Sequence, residues 1–241
     1  MRLGAYANIP PVTKNLLIIN VIVWLAMQIP SIGNPLFRYG ALHYFTSIDF
    51  NVAQLLTYMF IHANFTHLFF NMFALWMFGM VIERRLGSEK FIIYYLSCGL
   101  GAALIQLGVF AIMISHYEAY LTSEMIELAK QGRYLPYEPA SLRVAELINT
   151  PIVGASGAIY GVLLAFGMLY PNQRIYLYFI APVKAKWVII GYAAIELLQA
   201  IGNNAADNVA HVAHLGGMLI GVIIILWWRN NGTLNRYNDF Y

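Results

Sequence analysis

One cysteine, Cys98, stands in a chain of 241 residues, so no disulfide can form within it and no cysteine cluster is available for a structural zinc site. Charge is also scarce. Asp, Glu, Lys and Arg together make up 10% of the residues, where a water-soluble domain carries about 25%. With 60% hydrophobic residues and a mean hydropathy of +0.63, a soluble single domain is excluded, because a chain of this length cannot hide so much apolar surface in one core. The net charge of +3 makes no case for a nucleic-acid partner. There is no H-E-x-x-H, and the six histidines (43, 62, 67, 116, 211 and 214) lack a supporting carboxylate cluster in the sequence, so no metal or cofactor is expected. The two halves show no internal similarity, which counts against a small transporter that uses its histidines as a proton path.

The chain has long apolar runs instead, separated by polar punctuation. Hydropathy predicts six membrane spans, at about 14–29, 65–82, 91–114, 156–170, 187–201 and 209–228. The first ends in "MQIPSIGNP", without the small-residue cleavage pattern of a signal peptide, and is read as a retained helix. The expected fold is an all-α membrane bundle of six helices with a long, irregular, largely apolar first outer loop at 31–64. Residues 1–13 form a short cytoplasmic N-terminus, 14–228 the membrane domain and 229–241 a short polar tail. Placing the N-terminus inside puts ten basic residues on the inner side (Arg2, Lys14, Arg84, Arg85, Lys90, Arg174, Lys184, Lys186, Arg229, Arg236). Four fall outside (Arg38, Lys130, Arg133, Arg143), as the positive-inside rule requires. The polar insertion at about 115–150 then lies outside, and its "YLTSEMIELAKQ" reads as a solvated loop helix in preference to an interfacial one. The absence of an Arg-rich, Ser-rich presequence is read as arguing against organelle import, leaving a bacterial-type cytoplasmic membrane as the expected location.

Chemistry concentrates in three stretches. In "VGASGAIYGVL", Ser156 opens the fourth span after Pro151 and Gly154. That span has about fifteen residues, roughly 22 Å of helix, short of the roughly 30 Å hydrocarbon core, so the serine is expected below the surface, facing the open N–H groups of a helix start. The bland alternative is an N-cap or a small packing residue. In "DNVAHVAHLGGMLIGV", His211 and His214 enter the sixth span from the same side, and an intramembrane histidine suggests function. Gly157 and Gly161 on the fourth span and Gly217 and Gly221 on the sixth are each four apart, a spacing that lets two backbones approach closely and bring a histidine to the serine. No acidic residue on these two spans is placed to orient the imidazole. Tyr160, one turn below Ser156, could hold the ring by stacking. In "FIHANFTHLFFNMFALW", His67 and Asn71 share a helical face and could donate to an oxyanion. Glu196 lies in the fifth span, at a depth that suggests a functional role or a partner inside the bundle.

From about residue 14 to 228 the chain resembles the rhomboid intramembrane serine proteases. The likeness rests on "HANFTHLFFN" followed by "ERRLGSEKF", on "GASGAIYG" and on "AHLGGMLIG", in that order. It implies a six-helix bundle that cleaves transmembrane protein substrates within the lipid bilayer with a Ser–His dyad, through an acyl-enzyme and without metal or cofactor. By the same resemblance Ser156 is the nucleophile. His214 is the base, preferred to His211 because Gly217 and Gly221 follow it by three and seven residues. His67 and Asn71 form the oxyanion hole, Tyr160 packs on the catalytic histidine, and Gly154, Gly157, Gly217 and Gly221 are motif glycines. Glu83 and Arg84 match a structural charged pair. Where many members carry Trp-Arg in the first loop, this chain has Ala53 and Gln54, which puts the anchoring of that loop in question. The alternative within the same fold is an inactive relative that binds membrane clients; retention of both Ser156 and His214 counts against it.

Overall fold

A computed structural model of the chain describes residues 8–177, 181–202 and 208–234; residues 1–7, with Arg2, and 235–241, with Arg236, lie outside the described residues. Each of the six expected segments is helical. They are α1 (Pro11–Met27), a composite helix made of α4 (Phe65–Ala74), a π turn (Leu75–Gly79) and α5 (Met80–Leu86), α6 (Ser88–Glu118), α9 (Ser156–Leu169), α10 (Ala185–Ile201) and α11 (Asn208–Asn230). Among the described residues three helices are long and apolar enough to cross a bilayer, Phe65–Leu86, Ser88–Glu118 and His211–Asn230. Pro11–Met27 and Ser156–Leu169 are shorter apolar helices. The outward faces of α1, α4, α6, α10 and α11 carry Ile22, Phe70, Ile112, Leu198 and Trp227 exposed, which is tolerable only where the surrounding solvent is lipid.

Helices α6, α9 and α11 form the centre of the bundle, with α10 packed on α9 and α11, and α1 packed on α4, the π turn and α6. The glycine pairs set the closeness of that centre. A Cβ on Gly217 would overlap the carbonyl of Gly157, and one on Gly221 would overlap the Tyr94 hydroxyl. A Cβ on Gly157 would come 2.6 Å from the Ala102 side chain of α6. Two buried tyrosine hydroxyls in this apolar interior are satisfied by carbonyls, Tyr94 donating to Gly161 at 2.7 Å and Tyr58 to Gly99 at 2.8 Å.

Glu83 and Arg84 both tie the end of the second segment to the start of the first. The N–H groups of Val12 and Thr13, open at the helix start after Pro11, donate to the Glu83 carboxylate at 2.9 and 2.7 Å, and the Ser88 hydroxyl donates to it at 2.8 Å. The Arg84 guanidinium donates to the Asn8 carbonyl at 2.9 Å.

Three regions depart from the sequence reading. The first loop is partly helical, with α2 (Pro30–Gly40) and α3 (Gln54–Thr57), α2 accommodating Pro35 internally. The insertion is a helical hairpin: α7 (Ser123–Lys130), the largely solvated helix expected in "YLTSEMIELAKQ", packs on α8 (Pro139–Asn149) with Ala129 buried, and α8, absent from the sequence reading, packs on α6 with Val144 and Ile148 buried. Its Asn149 amide donates to the carbonyls of Ala129 and Ala145 and accepts from Ser47 of the first loop. An antiparallel hairpin, β1 (Arg174–Leu177) with β2 (Ala181–Lys184), joins α9 to α10, so among the described residues the fold is helical apart from this hairpin and one isolated bridge, Leu42 with Ile152.

Gln54 answers the question left by the missing Trp-Arg. Fully buried, it accepts from the His43 N–H at 3.1 Å and donates to the Asp49 carbonyl at 2.7 Å, which closes the first loop on itself. Gln54→Ala would leave both backbone groups unpaired in a buried setting, at a cost of about 1–3 kcal/mol. The expected outcome is a lower thermal unfolding midpoint and faster proteolysis within residues 41–60. Unchanged protection would show that the loop is anchored elsewhere.

Candidate active site

Ser156 is the first residue of α9 and is half-buried. The helix cap is Ala155, so the serine side chain is not spent on capping. The first capped amide inside the helix is that of Ile159, donating to Ala155 at 3.0 Å. Those of Ser156, Gly157 and Ala158 have no intrahelical acceptor. Gly154 makes the approach possible. Its φ of +114° suits glycine, its N–H donates to the Tyr58 carbonyl at 2.9 Å, and a side chain there would lie 2.6 Å from the His67 ring. The strand-like pairing of Leu42 with Ile152 fixes the segment that leads into this turn.

Close packing of α9 on α11 brings the histidine to the serine. His214 Nε2 lies 2.9 Å from Ser156 Oγ, and the Tyr160 ring stacks on the His214 ring with centroids 4.1 Å apart and planes 12° from parallel. On the other side of the imidazole, His214 Nδ1 lies 3.0 Å from Glu196 Oε2, from α10. His211 Nδ1 reaches the same oxygen at 2.6 Å, and the Tyr160 hydroxyl donates to Glu196 Oε1. The fourth and sixth segments carry no carboxylate, as read from the sequence, but the fifth supplies one that is 5% exposed. The signal was a lone acid in the otherwise apolar "GYAAIELLQAI"; which way it faces depends on how α10 packs, and that is not written in its own residues.

His67 and Asn71 stand over the turn that precedes Ser156. Asn64 caps α4 by accepting from the His67 N–H at 2.8 Å, which sets the phase of the face that carries both residues. Asn71 is 6% exposed, and its Nδ2 has no partner among the described residues. The His67 ring meets the edge of His62 at 5.0 Å; burial, with His67 beside it, pushes the His62 imidazole down to about 4, so His62 is neutral at pH 7.

Glu196, His211 and His214 bring three potential metal-ligand atoms within 4.8 Å of one another. An ion bound through His214 Nδ1 would leave the proton on Nε2, which could then not accept from Ser156. The same histidine cannot serve both, and its contact with the serine at 2.9 Å favours the serine.

A groove of about 1480 Å³ runs from His67, Asn71 and Tyr160 toward the β hairpin, between the composite helix and α10. His67, Asn71 and Tyr160 line one end, Phe73, Met77 and Tyr192 the walls, and Arg174 and Tyr176 the other end.

The fold and site define a helical membrane protein with a serine and a histidine in hydrogen-bond contact inside its bundle. A family model described as the rhomboid domain matches residues 49–230, and the chain belongs to the rhomboid family. It is 30% identical over 236 residues to "Rhomboid protein 1, mitochondrial" of Saccharomyces cerevisiae, covering 90% of this chain and 56% of that one. It is 28% identical over 224 residues to "Presenilin-associated rhomboid-like protein, mitochondrial" of Rattus norvegicus, covering 89% and 49%. To "Rhomboid protease AarA" of Providencia stuartii it is 29% identical over 239 residues, covering 92% and 72%. The chain thus spans about half the length of the mitochondrial relatives.

Proposed function

We propose that this chain is an intramembrane serine endopeptidase that cleaves transmembrane protein substrates, with Ser156 as nucleophile and His214 as general base. The observation that carries the reading is the 2.9 Å contact of His214 Nε2 with Ser156 Oγ at the start of a helix with open amides. The six helical segments are counted as six spans with the N-terminus inside, which puts Ser156 toward the outer face. A bacterial-type cytoplasmic membrane is the proposed location, and a bacterial protease is among the relatives the chain resembles.

A substrate helix enters laterally through the groove. Its volume equals roughly 15 Å of a helix about 11 Å across, enough for a few turns of substrate beside His67 and Asn71. Once a peptide carbonyl is exposed, Ser156 Oγ bonds to its carbon and the hydroxyl proton passes to His214 Nε2. The oxyanion is held by the His67 and Asn71 side chains and the Ser156 N–H; the unpartnered Asn71 Nδ2 supports that role. Collapse breaks the C–N bond as Nε2 returns the proton to the leaving amine. Water then attacks the ester carbon, giving its proton to Nε2. The acyl C–O bond breaks, and the proton goes back to Oγ, restoring the enzyme.

The test is reconstitution in liposomes with a panel of tagged single-span substrates. Wild type is expected to yield two fragments whose masses sum to substrate plus one water, and Ser156→Ala none. Cleavage that survives Ser156→Ala would overturn Ser156 as the nucleophile and with it the protease reading, and a panel left uncut by protein that co-purifies stoichiometrically with the uncut spans would replace that reading with client binding.

A further inference from the structure

We infer that Glu196 is a positioning residue that completes a Ser156–His214–Glu196 triad, with Tyr160 and His211 holding its carboxylate. The inference rests on the protease reading above and extends it to the fifth span.

The geometry carries it. A carboxylate only accepts hydrogen bonds, so the nitrogen of His214 facing Glu196 at 3.0 Å is the protonated one, Nδ1–H. That fixes the tautomer. Nε2 is left with its lone pair toward Ser156 Oγ at 2.9 Å, the arrangement a base needs before the proton moves. When Nε2 takes the serine proton the ring becomes a cation, and Glu196 is the anion beside it. In a bundle interior that pairing matters more than it would in water.

Glu196 is itself fixed from three directions. The Tyr160 hydroxyl donates to Oε1, while His211 and His214 both reach Oε2, so neither oxygen is left without a donor. Tyr160 acts twice on one ring, stacking on His214 and orienting the acid that orients it. A purely structural role for Glu196 would need only burial and partners. A carboxylate at Nδ1, on the side of the ring opposite the serine, is what holds the base in its tautomer and orientation.

The experiment measures kcat and KM for single-span substrate cleavage in liposomes by wild type, Glu196→Gln and Glu196→Asp, with Ser156→Ala alongside. Glu196→Gln is expected to lower kcat about 100-fold with KM within about twofold, since a neutral amide neither enforces the tautomer nor balances the imidazolium. Glu196→Asp, which keeps the charge, is expected to recover at least about tenfold of that loss. A folded Glu196→Gln protein within about threefold of wild-type kcat, with Ser156→Ala dead, would overturn the triad and leave the protease reading standing. Cleavage retained by Ser156→Ala would overturn both. If Glu196→Gln does not fold, Tyr160→Phe decides: it keeps the ring and removes the donor to Oε1, and is expected to lower kcat about fivefold at constant KM. Unchanged kcat in that variant would contradict the inference.

Discussion

Ser156→Ala and His214→Ala are each expected to lower kcat for substrate cleavage by about 10⁴-fold, and the double variant is expected to lose no more than either alone. In the proposed mechanism the two side chains act as one unit. With His214 Nε2 2.9 Å from Ser156 Oγ, the serine becomes a nucleophile there only as the histidine accepts its proton. The histidine has no proton to accept once the hydroxyl is gone. Groups that act as a unit are strongly non-additive, whereas independent contributions would multiply to about 10⁸. The residual rate reflects the oxyanion donors and substrate positioning. The check is kcat for the four proteins on one substrate in one lipid composition; losses that multiply would mean that serine and histidine work in different steps.

Gly217→Ala is expected to be the most disruptive single-methyl change in the bundle. The added carbon would overlap the backbone carbonyl of Gly157, which cannot rotate away as a side chain could. Helices α9 and α11 must therefore separate, at a cost of about 1–3 kcal/mol for overpacking. The same separation withdraws His214 from Ser156, and a displacement of about 1 Å at reacting atoms costs about 100-fold in rate. The variant should lose turnover by more than its loss of folded protein explains. Gly108→Ala is the matched control on α6: its added carbon meets nothing within 4 Å beyond its own stretch of helix, and removing an interior helix glycine should leave it as stable as wild type or up to about 1 kcal/mol more so. Thermal unfolding and kcat measured on both separate packing from propensity.

The site was legible in the sequence where local rules suffice. The glycines at 157, 161, 217 and 221 announce a backbone-to-backbone contact before any coordinates, and that contact dictates that a histidine near the start of the sixth segment meets a serine at the start of the fourth. Spacing placed Tyr160 one turn from Ser156, and it stacks on His214 as that placement allows. His67 and Asn71 share a face because they are four residues apart on α4, and the structure sets both against Gly154.

Legibility ends where partners come from elsewhere in the chain. Glu196 could be recognised as an acid in an apolar helix, but its bond to His214 depends on the rotation of α10 against α9 and α11. Residues 115–150 look polar because their charged residues face outward, while Val144, Ala145, Leu147 and Ile148 make the buried side of α8, which packs on α6, and Ala129 is the buried residue of α7, which packs on α8. Gln54 reads as an ordinary polar loop residue until the His43 amide and the Asp49 carbonyl are seen to converge on it. The β hairpin at 174–184 is four residues per strand, too short for alternation to stand out from its apolar surroundings.

The account turns on a serine made nucleophilic by its histidine, and covalent capture tests that directly. Protein reconstituted in liposomes is treated with a fluorophosphonate, digested and analysed by mass spectrometry. The expected result is one phosphonyl group on the peptide containing Ser156, displacing fluoride, and its loss in His214→Ala. Modification at a different serine, or equal labelling of Ser156 in His214→Ala, would contradict the account.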